Sequence, residues 1–337
     1  MSHTNTERKP VLQVEHLSTC FRTDHGVVTA VDDVSFELFA GETLGIVGES
    51  GSGKTVTSKS IMRLLPEHVS FQKEGSVVRF EGKNLVTATD PEMREVRGAR
   101  IAMIFQEPMT SLNPVFTVGW QLNEALAYHT QLDKAARKRK AIEMLELVEM
   151  PNATRRYDEY PHQLSGGMRQ RVMIAMALCC EPDILIADEP TTALDVTIQA
   201  QILRLMDGLK SKLGTAIMLI THDLGVVAQT CDRVLVMYAG RVVEEATALE
   251  LFNAPRHPYT KALLDSIPKA GRREHGKRLP TIEGLVPSLF ELPPGCRFAD
   301  RCAFRDSHCD ETEPELVADQ ANRRVRCHYP LEAPESR

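Results

Sequence analysis

Gly48-Glu49-Ser50-Gly51-Ser52-Gly53-Lys54-Thr55 follows the short apolar run Thr43 to Val47 (TLGIV) and opens a segment, Thr55 to Leu65, with helical periodicity. A strand, a glycine-rich loop and a helix in that order are the context in which G-x-x-x-x-G-K-[ST] reads as a phosphate-binding loop. Gly48, Gly51 and Gly53 let the backbone curl until its N–H groups converge on an anion, where the helix start adds partial positive charge. Lys54 supplies a point charge to β/γ-phosphates and Thr55 a hydroxyl to Mg²⁺, while Ser50, Ser52 and Val56 complete the residues expected against a nucleotide such as ATP. A chance glycine turn accounts for the residue types but not for their placement.

Working outward, four more runs share the character of TLGIV: Ile101 to Phe105, Ile184 to Ala187, Ala216 to Ile220 and Val234 to Met237. They are short, apolar and without alternation, which suits strands covered on both faces of a parallel sheet. Ala135 to Glu149 has a helical stripe of Ile142, Leu145 and Val148. Ten of the nineteen prolines fall after position 250, so the sequence predicts an α/β domain over 1–245 and a loop-rich extension over 246–337. The basic run Arg272, Arg273, Lys277, Arg278 reads as a solvated linker.

A metal-bound nucleotide needs a carboxylate site, and Ile184-Leu-Ile-Ala-Asp188-Glu189 ends an apolar strand in two acids. Ligands of open α/β sheets bind at the carboxyl ends of strands. Asp188 is expected to hold Mg²⁺ and Glu189 to polarise the attacking water as general base. Alone, such an ending is weak, because acids also cap strand ends and helix starts; beside a P-loop it gains weight.

Leu164-Ser165-Gly166-Gly167-Met168 precedes Arg169-Gln170-Arg171 and the apolar helix Val172 to Cys180. The segment resembles the signature motif of ATP-binding cassette (ABC) ATPases. The resemblance implies an α/β P-loop NTPase cassette with a helical signature subdomain at about 107–180, and a second ATPase subunit whose P-loop the signature residues Ser165, Gly166 and Gly167 complete. It also assigns Gln106 as the Q-loop glutamine that senses Mg²⁺, Ala193-Leu194-Asp195 as the D-loop, His222 as the switch histidine on the γ-phosphate, and Phe21 as the aromatic under adenine. Duller roles exist for each: a loop amide, a helix cap, a strand-end histidine, a core aromatic. Lys54, Ser165, Glu189 and His222 keep the types that hydrolysis requires.

The flank Gln106-Glu-Pro-Met-Thr-Ser-Leu-Asn-Pro114 and the segment Pro255-Arg-His-Pro-Tyr259-Thr-Lys-Ala-Leu263 are similar to the peptide and nickel importers of bacteria. This implies import of di- or oligopeptides, with a second homologous ATPase, two transmembrane permease subunits and an extracytoplasmic peptide-binding protein, at the cytoplasmic face of the bacterial inner membrane. Met109, Leu112 and Phe116 are apolar candidates for the surface on which a permease helix docks, and equally for packing of their own loop. A nickel importer ATPase of the same family is one alternative. The other is a soluble ABC ATPase of translation or repair, against which stand the single cassette and the lack of sustained heptads.

Composition fits this picture. The chain has 337 residues, a net charge of −6 and 42% hydrophobic residues, and no run of about 18 uninterrupted apolar residues that would predict a membrane span. The mild acidity argues against nucleic acid as a partner, and MSHTNTERKP has no apolar core of a secretory signal. Half of the eight cysteines, Cys296, Cys302, Cys309 and Cys327, cluster in a segment with little periodicity. Four thiols in a reducing compartment suit a metal or cluster better than disulfides. Their spacing is looser than the usual zinc knuckle but leaves zinc open, a [4Fe–4S] cluster takes four thiolates, and cofactor-free thiols remain an alternative. The family resemblance favours the cluster. His308 and His328 are substitute ligands, and Cys20, Cys179, Cys180 and Cys231 read as core.

Overall fold

In a computed structural model of the chain, residues 9–106, 111–191, 195–267, 281–319 and 323–332 are described. They form two compact units interleaved along the sequence. One comprises Met1–Leu12, Glu37–Glu42 and Arg79–Ile220, the other Gln13–Phe36, Thr43–Val78 and Thr221–Arg337. Met109, Ala193, Leu194 and the basic run from Arg272 to Arg278 lie outside the described residues.

The first unit is built on three parallel strands, Ile101–Ile104, Ile184–Asp188 and Ala216–Ile220. Ile101 pairs with Ile184, which pairs in turn with Ala216. Every residue of the second and third strands is buried. That is why their sequence shows no polar alternation: both faces are covered. Helices Val118–His129, Lys134–Leu147, Gly166–Leu178 and Val196–Leu213 complete the unit. Each starts on a side chain that accepts from a first-turn amide: Thr117, Asp133, Ser165 and Asp195. The helix expected over 135–149 stops at Leu147 because Glu149 turns left-handed, at φ 55°. The helix expected from Val172 begins six residues earlier, at Gly166, where Ser165 caps it.

In the second unit Thr43–Val47 runs parallel to Arg233–Tyr238, and the latter pairs antiparallel with Arg241–Thr247. The next neighbours are Arg324–Val325 and Val317–Ala318. Strands from the proline-rich extension thus extend the pairing that starts at Thr43–Val47, and the boundary expected at 245/246 falls inside Arg241–Thr247. The helix expected over 55–65 is Lys54–Ile61; Arg63 at φ 48° and Pro66 stop it. Cys20 and Cys231 are buried in this unit and Cys179 in the first, as expected of core residues, whereas Cys180 is half-buried.

Guanidinium–carboxylate pairs hold the extension in place. Glu244, 1% exposed, accepts from the Arg256 and His257 amides, each at 2.8 Å, and from Arg323 Nη2 at 3.1 Å. Arg324 pairs with Glu245, and Arg297 pairs with Asp32 and Glu313. Burial would raise the Asp32 pKa, but the Arg241 and Arg297 guanidiniums outweigh it and hold the carboxyl below its ordinary range. Removing one partner of such a pair strands the other charge. Glu244→Ala is expected to destabilise the chain by about 3–5 kcal/mol, and the double variant Glu244→Ala/Arg323→Met by less. Urea midpoints check this; equal loss in both would show that Arg323 is indifferent to Glu244.

Candidate nucleotide site

The second unit carries the glycine-rich loop. Thr43–Val47 is buried throughout, and the chain leaves it at Gly48 with φ 151°. A Cβ at Gly48 would stand 2.2 Å from the Met237 carbonyl oxygen, so no side chain fits. Gly53 is confined by the Ala30 carbonyl at 2.8 Å, whereas Gly51 faces open space and is required only by its φ of 80°. The helix Lys54–Ile61 starts on Gly53, and no side chain caps it. Its first turn therefore offers backbone amides and the positive end of the helix dipole to an anion.

Lys54 is 6% exposed. Its ammonium donates to the Gly48 and Glu49 carbonyls, both at 2.8 Å, and to Ser52 Oγ at 3.4 Å. The cation is thereby held at the centre of the loop. Ser52 is buried, Ser50 exposed, and Thr55 and Val56 half-buried. His222 is exposed, just past Thr221, whose amide donates to the Ile46 carbonyl at 3.3 Å. Phe21 is half-buried on the strand Pro10–Thr23, opposite Ser70.

The first unit carries the acids. Asp188 ends its strand at 1% exposure. Glu189 is left-handed at φ 48°, an uncommon conformation for a residue with a Cβ, and its amide donates to the Ile220 carbonyl at 2.8 Å. That turn projects the carboxylate beyond the strand, where Gln106 Nε2 donates to Glu189 Oε2 at 3.0 Å. Behind it, fully buried Gln170 donates to the Pro190 carbonyl and fixes the residue that follows Glu189. Sequence reasoning passed over Gln170, although it lies in the quoted Arg169-Gln170-Arg171.

Ser165 and Gly166 are exposed at the start of Gly166–Leu178, where Ser165 Oγ accepts from the Met168 amide at 3.4 Å. A Cβ at Gly167 would come within 3.0 Å of the Ile198 side chain. Asp195 accepts from the Ile198 amide at 3.0 Å. Both Ser165 and Asp195 therefore do serve as helix caps, and an exposed capped helix start can also face a second chain.

Near Gln106, Leu112, a candidate equally for a docking surface and for packing of its own loop, is buried against a cavity of about 220 Å³ that Ile104, Phe105, Met173 and Met176 also line. The exposed apolar side chains are Phe105, Val115 and Trp120, and Phe116 is half-buried with its ring stacked on Trp120 at 3.8 Å between centroids.

In the extension, Cys296, Cys302, Cys309 and Cys327 line one small cavity, together with Phe298 and His328. Burial pushes the Cys296 and Cys327 thiols up to about 11, and the other cysteines add to the shift. Among the described residues no three His, Cys, Asp or Glu side chains are arranged to hold a metal ion. His328 Nε2 is within 2.8 Å of the Thr312 carbonyl, and its ring lies 4.1 Å from that of His308. Beside the cavity His257 is wholly buried, its Nδ1 accepts from the Tyr259 amide at 3.0 Å, and burial pushes its pKa down to about 3.

Two protein families match parts of the chain. The ABC transporter family matches residues 31–192, and the family of oligopeptide/dipeptide transporter C-terminal regions matches 243–309. A probable peptide ABC transporter ATP-binding protein of Sinorhizobium fredii is 54% identical over 96% of both chains. The dipeptide transport ATP-binding protein DppD of Bacillus subtilis is 53% identical over 94% of both. A solved dimeric ATP-binding cassette in a post-hydrolysis state, bound to ADP and phosphate, superposes with a TM-score of 0.63 at 27% identity, covering 70% of this chain and 98% of its own.

The buried His257 makes stability depend on pH. An unfolded histidine takes up a proton near pH 6.5, which the folded chain refuses down to about 3. Its contribution is therefore intact above about pH 6.5 and is lost as pH falls below it, at up to about 1.4 kcal/mol per unit. His257→Asn should show a shallower loss of urea midpoint between about pH 7.5 and 5; an unchanged slope would contradict the assignment.

Proposed function

The chain belongs to the ABC transporter ATPases, and from that premise we propose that it is the ATP-hydrolysing subunit of a bacterial importer of di- and oligopeptides. The observation that carries the reading is that the likeness to peptide-transport ATPases spans the cassette and the extension together, at 54% identity over 96% of the chain. A translation or repair ATPase gives no account of the transporter-type C-terminal region.

Each residue then has a chemical role. Lys54 exchanges the carbonyls of its own loop for the β- and γ-phosphate oxygens, joined by the amides from Gly48 to Val56. Thr55 and Asp188 would hold Mg²⁺, with Gln106 beside them. Glu189, oriented by Gln106, takes a proton from water as the water oxygen bonds to the γ-phosphorus and the bond to the ADP oxygen breaks. His222 meets the γ-phosphate, Phe21 the adenine, and Ser165, Gly166, Gly167 and Asp195 serve the site of a partner ATPase. No helix among the described residues is long and apolar enough to cross a membrane. The chain would work at the cytoplasmic face, against two permease subunits supplied by an extracytoplasmic peptide-binding protein.

The four cysteines would hold a [4Fe–4S] cluster, with zinc as the alternative. Support comes from the donor set, four free thiols on one cavity. Such a group would act as a staple in a segment with little core of its own.

Two experiments test this reading. Glu189→Gln should bind ATP and lose hydrolysis by about 10²-fold or more; hydrolysis at the unmodified rate would remove Glu189 from the general-base role. Chain purified without oxygen should carry roughly four irons and absorb near ~400 nm. Zinc in their place selects the alternative, and metal-free protein overturns both.

A further inference from the structure

Arg301 lies one residue before Cys302 and is 4% exposed along its side chain. Its guanidinium spends every N–H it has. Nη1 donates to Glu49 Oε2 at 2.7 Å and to the Tyr238 hydroxyl at 3.3 Å, while Nη2 donates to Glu49 Oε1 at 3.0 Å and to the Ile282 carbonyl at 3.3 Å. Nε donates to the Glu283 carbonyl at 3.0 Å. Glu49 follows the first glycine of the P-loop, and its amide is held as well: it donates at 2.9 Å to the hydroxyl of Tyr259, which is wholly buried. Two residues of the C-terminal segment therefore grip one P-loop residue, the arginine at its carboxylate and the tyrosine at its backbone.

The grip has an electrostatic purpose. A carboxylate in a loop built for polyphosphate repels the ligand unless a cation neutralises it, and a buried two-pronged arginine does so in one fixed geometry. The Glu49 carbonyl is also an acceptor for Lys54, so the same residue links the clamp to the catalytic cation.

We propose that Arg301, assisted by Tyr259, is a positioning residue for nucleotide binding: it neutralises Glu49 and fixes the first turn of the P-loop, so that ATP affinity depends on the C-terminal segment. The inference rests on the P-loop being the nucleotide site, as in the function proposed above.

The test is a titration of the full-length chain with a fluorescent N-methylanthraniloyl ATP in Mg²⁺, with circular dichroism to confirm folding. Arg301→Met should weaken binding by about tenfold, and adding Glu49→Gln should recover most of that loss, because the uncompensated carboxylate has gone. Binding by Arg301→Met within about twofold of wild type would overturn the proposal, as would a loss that Glu49→Gln leaves in place, the mark of a merely structural role. If Arg301→Met does not fold, Arg301→Lys takes its place: it keeps the charge and gives up the fork. Binding more than about threefold weaker supports the proposal, and binding equal to wild type overturns it. Failure of the wild-type chain to bind the analogue would instead count against the nucleotide site itself.

Discussion

The chain's chemistry depends on a loop of backbone with no room for side chains where it leaves the strand Thr43–Val47. Gly48 passes so close to the Met237 carbonyl that a single added carbon would overlap it, and Gly53 meets the Ala30 carbonyl in the same way. These contacts draw the loop into a ring around the Lys54 ammonium. Met237 belongs to the strand Arg233–Tyr238, parallel to Thr43–Val47, so the buried sheet supplies the wall against which the loop is shaped. Core packing and anion binding are here one requirement.

Two carboxylates of the chain have partners of different kinds. Glu189, proposed as the general base, accepts from the side-chain amide of Gln106. Glu49, with no proton to move, is locked to Arg301. A two-pronged guanidinium neutralises the charge it grips.

The P-loop, the strands and the acid pair were legible in the sequence because each is set by neighbours along the chain. Strands buried on both faces must be apolar without alternation, so Ala216 to Ile220 could be read directly. Helix ends were less legible. Left-handed turns at Arg63 and Glu149 end two helices, and nothing in those residue types announces the turn. Caps can be read two ways, and Ser165 and Asp195 are caps whatever else they do. The extension was the hardest to read. Its cysteines drew attention because they cluster, whereas the arginines that fasten it, Arg297, Arg301, Arg323 and Arg324, look like ordinary surface charge. Their partners lie far away in sequence: Glu49 is 252 residues from Arg301 and Asp32 is 265 from Arg297. No periodicity reports a contact of that span.

The ring around Lys54 is proposed as the phosphate site of an ATPase. Calorimetric titration of the full-length chain with ATP and Mg²⁺ tests it most directly, in parallel with Lys54→Met, which keeps the length of the side chain and removes its charge. The expected result is one saturable site per chain that is lost, or weakened by about tenfold or more, in the variant. Binding unaffected by Lys54→Met, or no binding by the unmodified chain, would contradict it.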